Sequence, residues 1–139
     1  IVDAGATFIG KVDGGNTVGA LASSTLELTS TGSAGTLASL GSQFTHFANI
    51  TVDSGAAWTL TADTIGAGYT IVDSGTLTNA GTLGSTVTLG SSAQLTNTST
   101  ARISDTLIGV YASSTATVAN ERDRAQLGKL RKAARYAQD

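Results

Sequence analysis

Four aspartates stand first among the residues that could do chemistry. Asp3, Asp13, Asp53 and Asp73 each sit in a Val-Asp-x-Gly phrase (VDAG, VDGG and twice VDSG), at offsets of 10, 40 and 20. Repeated Asp-Gly turns are one way for a stacked β structure to hold calcium, but that chemistry uses a nine-residue GGxGxDxUx unit dense in acid. This chain lacks that unit. The structural alternative is that each carboxylate accepts a backbone N–H in an Asx turn while the glycine takes a positive φ. The spacing favours it. Asp53, Asp63 and Asp73 could also supply an acid/base pair for cleaving a polysaccharide, which requires two carboxylates within roughly 10 Å. Only Lys11 and Arg102 are basic in the first 119 residues, and sugar platforms are limited to Trp58, Tyr69 and Tyr111. The expectation is a protein that is not an enzyme, and one with no cofactor and no metal.

Threonine pairs are the second feature. Thr59/Thr61, Thr76/Thr78, Thr86/Thr88 and Thr96/Thr98 form Thr-x-Thr units. Aligned on one flat face they would make a hydroxyl array for ice or glycan, as in the ice-binding solenoids that such an array resembles. Their spacings of 17, 10 and 10 are irregular, and ordinary outward threonines on strands account for them equally well. His46, in QFTHFANI, has no carboxylate or second ligand nearby in sequence. Strand alternation puts Phe44 and His46 on one face and Phe47 on the other, giving His46 a structural role. Asn49-Ile-Thr51 and Asn97-Thr-Ser99 match the glycosylation sequon, a match expected by chance in a Thr-rich chain.

The elements that must position these residues are short strands. The 139 residues are 40% hydrophobic and 13% charged, with no Pro, Cys or Met and 17 Gly, a balance that favours burial over disorder. The absence of Cys excludes disulfides, Cys-bearing zinc sites and thiol catalysis. Period-two alternation and β-branched enrichment predict strands at Thr7–Lys11, Thr25–Thr29, Phe44–Val52, Trp58–Thr61, Tyr69–Val72, Thr76–Thr78, Thr86–Leu89, Gln94–Thr96, Ala101–Ile103 and Leu107–Tyr111. Turn-formers separate them, as in a sandwich or a solenoid. The near-repetition of VDSG and its following Thr run decides for the solenoid, whose rungs stack on their own likeness. A period of about twenty gives roughly six rungs over residues 1–119 and a stack about 30 Å tall. Inward ladders are predicted from Ile50, Val52, Leu60, Ile71, Leu77, Val87, Leu89 and Leu95.

Two phrases carry a resemblance. STLELTSTGSAGTLASLGSQFTHFANITVDSGAAWTLTADTI and GTLTNAGTLGSTVTLGSSAQLTNTST look like the repeats of autotransporter-type passenger domains of bacterial surface and secreted proteins. The likeness covers about Ile1 to Ile103. It implies a right-handed parallel β-helix, exported and displayed on or released from the cell, with roles in adhesion, biofilm matrix or stalk-like scaffolding. The chain departs from that family in its length and its end, and no run of strands for a membrane β-barrel is visible.

Composition breaks at Asn120. Residues 1–119 carry two basic against seven acidic side chains, and residues 120–139 six against three. NERDRAQLGKLRKAARYAQD reads as a basic amphipathic helix with Asn120 as N-cap. Leu127, Leu130, Arg131, Ala134 and Arg135 are its candidate contacts for capping the open solenoid end or for assembly. An acidic body without aromatic interleaving argues against nucleic acid, and no stretch is long and apolar enough to span a membrane. Opening at Ile1, without Met or leader, the chain reads as a fragment or processed product. The expected whole is an all-β solenoid with a short C-terminal α-helix. It would serve as an extracellular structural or adhesive module, partnered by copies of itself, neighbouring repeats, or a glycan or cell surface. A ligand-binding Thr face and a polysaccharide-active enzyme are the alternatives.

Overall fold

The computed structural model describes residues 1–16, 23–65, 69–105 and 107–122. Among the described residues thirteen strands form, all paired in parallel: β1 Val12–Asp13, β2 Thr25–Leu28, β3 Gly35–Ala38, β4 Phe44–Thr45, β5 Asn49–Val52, β6 Ala57–Ile65, β7 Thr70–Asp73, β8 Thr76–Leu83, β9 Val87–Leu89, β10 Gln94–Asn97, β11 Arg102–Ile103, β12 Val110–Ala112 and β13 Thr117–Asn120. They stack as a β-solenoid. One face runs β2-β5-β7-β9-β12 and a second runs β3-β6-β8-β10-β13. The long strands β6 and β8 bend past the second face. There Thr64–Ile65, Thr82–Leu83 and β11 pair as a short third side.

Five strands on each face make about four turns, not six. The twenty-residue period fails because paired residues lie at unequal separations. On the first face Leu26 pairs with Ile50, Ile50 with Ile71, Ile71 with Val87 and Val87 with Val110, steps of 24, 21, 16 and 23 residues. Turns and corners absorb the difference. The stack of four strand spacings is therefore about 19 Å tall.

All eight predicted inward residues are buried, between 0% and 3% exposed. They form columns, since a parallel in-register stack sets each side chain directly over its counterpart. Leu26, Ile50, Ile71, Val87 and Val110 make one, and Trp58, Leu77, Leu95 and Val118 another. The Trp58 column begins at Gly35, and the indole explains that glycine. A Cβ there would lie 2.6 Å from the Trp58 ring, and the indole N–H donates to the Thr29 carbonyl at 2.9 Å. β3, missed from sequence, contains one bulky residue because the tryptophan of the next coil fills its place.

The first residues close one end. Val2 is buried and bridges in parallel to Leu28. Residues 8–14 run beside 43–45, held by Gln43 Nε2 donating to the carbonyls of Phe8 and Gly10 at 3.0 and 2.8 Å. The Phe8 ring meets Phe44 edge-on, with centroids 5.3 Å apart. At the other end Val118 is 47% and Tyr111 61% exposed. Asn120, expected as a helix N-cap, is the last residue of β13 and pairs with Asn97. Leu127, Leu130, Arg131, Ala134 and Arg135 lie outside the described residues, and the expected C-terminal helix finds no support.

Leu77 is wholly buried at mid-stack, whereas its neighbour Thr78 points outward. Leu77→Ala is expected to cost about 2–5 kcal/mol in urea unfolding and Thr78→Ala under about 1 kcal/mol.

Candidate functional site

The threonine pairs divide between faces. Thr59, Thr61, Thr76, Thr78 and Thr96 lie outward on the second face, while Thr88 lies outward on the first. Thr86 precedes Thr88 and is tied sideways: its Oγ1 lies 2.8 Å from Asp105 Oδ2 and 2.7 Å from the Ile108 carbonyl. Thr98 follows β10 at a corner with its Oγ1 buried and unpartnered. The eight therefore do not form one array. Register nonetheless produces an array that spacing hid. Thr36, Thr59, Thr78 and Thr96 stand over one another on four successive coils. Beside them run Ala57, Thr76, Gln94 and Thr117, and on the other flank Ala38, Thr61 and Ala80. Every one of these outward side chains is Thr, Ala or Gln.

The inner wall of the same strands holds a second device. Leu37, Leu60, Asn79, Asn97 and Asn120 form one inward column, apolar in its first coils and amide in its last. Asn79 Nδ2 donates to Asn97 Oδ1 at 2.9 Å, and Asn97 Nδ2 to Asn120 Oδ1 at 3.3 Å. Asn79 also closes the corner, accepting from the Gly81 N–H at 3.0 Å and lying 3.1 Å from the Arg102 carbonyl. These bonds engage the Asn97 amide of the Asn97-Thr-Ser99 sequence, whose match to the sequon is one expected by chance. The signal was present as LTN, LTN and VAN at residues 77–79, 95–97 and 118–120. Asparagine reads as a turn-former, which concealed it.

The Val-Asp-x-Gly aspartates split in two. Asp13 and Asp73 make the expected Asx turns, accepting from the Gly15 and Gly75 N–H groups at 2.7 and 2.9 Å. Asp3 instead accepts from the Thr29 hydroxyl, and at Asp53 it is the main-chain carbonyl that accepts, from Ala56 N–H at 3.0 Å. The two VDSG copies do not superpose. Their twenty-residue offset is one short of the 21-residue coil, so Asp73 pairs with Val52 and takes the inward position. It sits between Val52 and Leu89, wholly buried, with Oδ2 unpartnered. Desolvation pushes its carboxyl up to about 6, with the Gly75 N–H pulling the other way. Asp53 is half-buried and outward, so these two carboxylates face opposite sides of the wall. The Asp63 side chain lies outside the described residues.

His46 does have a carboxylate. Its Nδ1 lies 2.9 Å from Asp13 Oδ2, where β4 runs beside β1. The expected alternation across Phe44–Val52 fails because His46 adopts φ 56° and ends β4, leaving Phe44 buried and His46 exposed. The hydrogen bond from His46, then that from Gly15, holds the Asp13 carboxyl below its ordinary range. This partnership spans 33 residues and had no local signal. Both side chains are more than half exposed, so the pair is a surface clasp worth little alone.

Of the three aromatics proposed as sugar platforms, Trp58 is in the core, Tyr69 is half-buried against it, and Tyr111 is exposed at the last coil. A cavity of about 200 Å³ lies under the N-terminal segment, walled by Val2, Phe8, Leu37, Phe44 and Trp58 among others. No three of His, Asp or Glu converge as a metal site among the described residues.

Asp73 makes stability depend on pH. Its folded value near 6 lies above the ordinary 3.8, so its contribution is full below 3.8 and is lost as pH rises through 6. Asp73→Asn removes that dependence. In urea unfolding the variant should gain on the parent between about pH 4 and pH 8; a constant difference would refute a buried titrating carboxyl. Asn97→Ala, which removes the side-chain acceptor of Asn79 Nδ2 and the donor to Asn120 Oδ1, should cost about 1–3 kcal/mol.

Comparison with protein-family models, with curated proteins and with solved structures gives no match.

Proposed function

We propose that this chain is a rigid β-helical scaffold, a non-enzymatic structural or adhesive module of a bacterial surface or secreted protein. The single observation that carries the reading is the continuity of the inward columns. The Leu26-Ile50-Ile71-Val87 and Trp58-Leu77-Leu95 columns and the amide ladder run through successive coils, while turns vary in length and the second outer face carries small side chains. A stack of that kind transmits length and stiffness, since each coil is braced by backbone bonds to both neighbours. The likeness of the repeats to passenger domains supports a right-handed coil and export from the cell.

Asymmetry of the ends supports a role in assembly. The first coil is covered by residues 1–14, whereas the last strand exposes Val118, a member of an inward column. A strand edge with exposed apolar residues at its flank is a template for another coil. That coil would come from neighbouring repeats of a longer protein or from another copy.

Electron microscopy beside light scattering tests this. Rods or fibres with an axial repeat near the height of the stack are expected if the open end recruits a second copy. A uniform monomer at all concentrations would remove self-assembly and leave a module that acts only within a longer chain. Compact particles without elongation in any longer form would contradict the scaffold reading.

A further inference from the structure

We propose that the second face is an ice-binding surface, its in-register threonines docking on the hydroxyl lattice of crystalline water. The inference goes beyond the scaffold reading and does not depend on it. Its basis is the composition of one face. The outward positions of β3, β6 up to Thr61, β8 up to Ala80, β10 and β13 hold Thr, Ala and a single Gln, with no charge and no aromatic. The first face differs, presenting Glu27, Val72 and Tyr111 at equivalent outward positions.

The array is regular across the coils in its central column, while along the strands its flanks alternate Thr with Ala or Gln: Thr61 lies between Ala38 and Ala80 on one side, and Thr76 between Ala57 and Gln94 on the other. Thr36, Thr59, Thr78 and Thr96 repeat across the coils at the strand spacing of about 4.8 Å. Thr59 with Thr61, and Thr76 with Thr78, repeat along the strands at about 6.7 Å. Both separations are held. The backbone is bonded to the coil on either side, and β-branching restricts each threonine at χ1. Beneath lie Leu60, Leu77 and Leu95, wholly or almost wholly buried, with the Asn79–Asn97 bond bracing the corner.

Ligand class follows from what such a face can pay back. A threonine hydroxyl is already solvated, so exchanging liquid water for another hydroxyl gains about 0.5–1.5 kcal/mol at best. A flexible partner would lose more in ordering than a few such bonds return. The gain accumulates only against a surface that is itself rigid, uncharged and periodic on the same scale. Ice meets that description, and the threonine methyls exclude the disordered water between. A glycan chain would call for aromatic platforms, and the one tryptophan is turned into the core. An anionic or cationic polymer would call for charge, which these strands do not present.

The test uses the full chain in supercooled buffer, reading thermal hysteresis and the shape of a single ice crystal. The expected result is hysteresis with faceted growth, lost in Thr78→Tyr and in Thr59→Tyr while circular dichroism and the unfolding midpoint stay near those of the parent. Thr51→Tyr, outward on the first face, should retain it. Absence of hysteresis in the parent would overturn the proposal. So would equal loss in Thr51→Tyr, or retention in both second-face variants. Two further results would assign the face to another occupant: binding to microcrystalline cellulose without any effect on ice, and a concentration-dependent dimer abolished by Thr78→Tyr.

Discussion

Each residue of a parallel in-register coil is stacked on a counterpart in the coil before, and pleating assigns the whole column to the inside or the outside. That is the constraint on which the rest of this structure depends. A residue cannot be judged inward by its type alone; its column decides. Where a column is aliphatic, as in Leu26-Ile50-Ile71-Val87, stacking buries apolar surface and nothing else is required. Where it is polar, every member needs a partner. Asn79, Asn97 and Asn120 meet that need from within the column, since each amide offers both a donor and an acceptor along the stacking axis. Carboxylates cannot do so. An ionised Asp73 between Val52 and Leu89 only accepts, which is why its Oδ2 is left alone and its proton is held to higher pH.

The same constraint orders the outside. Columns that are inward at one residue are outward at the next, so an internal ladder of Leu77 and Leu95 forces an external ladder of Thr78 and Thr96. Unequal coil lengths do not disturb this, because the added residues are taken up at corners, where Ser39, His46 and Ser92 reach positive φ. Rigidity of the outer surface is thus a by-product of the core, and so is its periodicity. A scaffold and a lattice-matching face are two uses of one arrangement.

Much of the core was legible because alternation is a local signal. Ile50 and Val52, or Val87 and Leu89, are two apart and flanked by polar residues, and each pair is inward as that pattern predicts. Strands that lack the pattern escaped. β3 holds Gly35 where another coil supplies the bulk, and β13 reads as an unremarkable TVAN. The period misled for a physical reason. VDSG repeats at twenty because it makes a similar turn twice, whereas the coil length is set by backbone pairing between strands, which shifts the second copy one residue and turns its aspartate inward. The site residues were less legible still. Thr36 and Thr117 join the second-face array only through register, and Asp13 reaches His46 across 33 residues, so neither relation leaves a mark in local spacing.

Register is therefore the claim to test, and the absence of native Cys makes cross-linking direct. In the coil described, Thr51 lies beside Val72, whereas a twenty-residue repeat would set Val52 there. Thr51→Cys/Val72→Cys places two thiols on the outer surface of adjacent strands, within the Cα separation of about 4.4–6.8 Å that a disulfide spans. Under mild oxidation that variant should form an intramolecular disulfide in high yield, and Val52→Cys/Val72→Cys, with its thiols on opposite sides of the wall, should not. The reverse pattern would contradict the register, and with it the inward Asp73, the amide ladder and the threonine array.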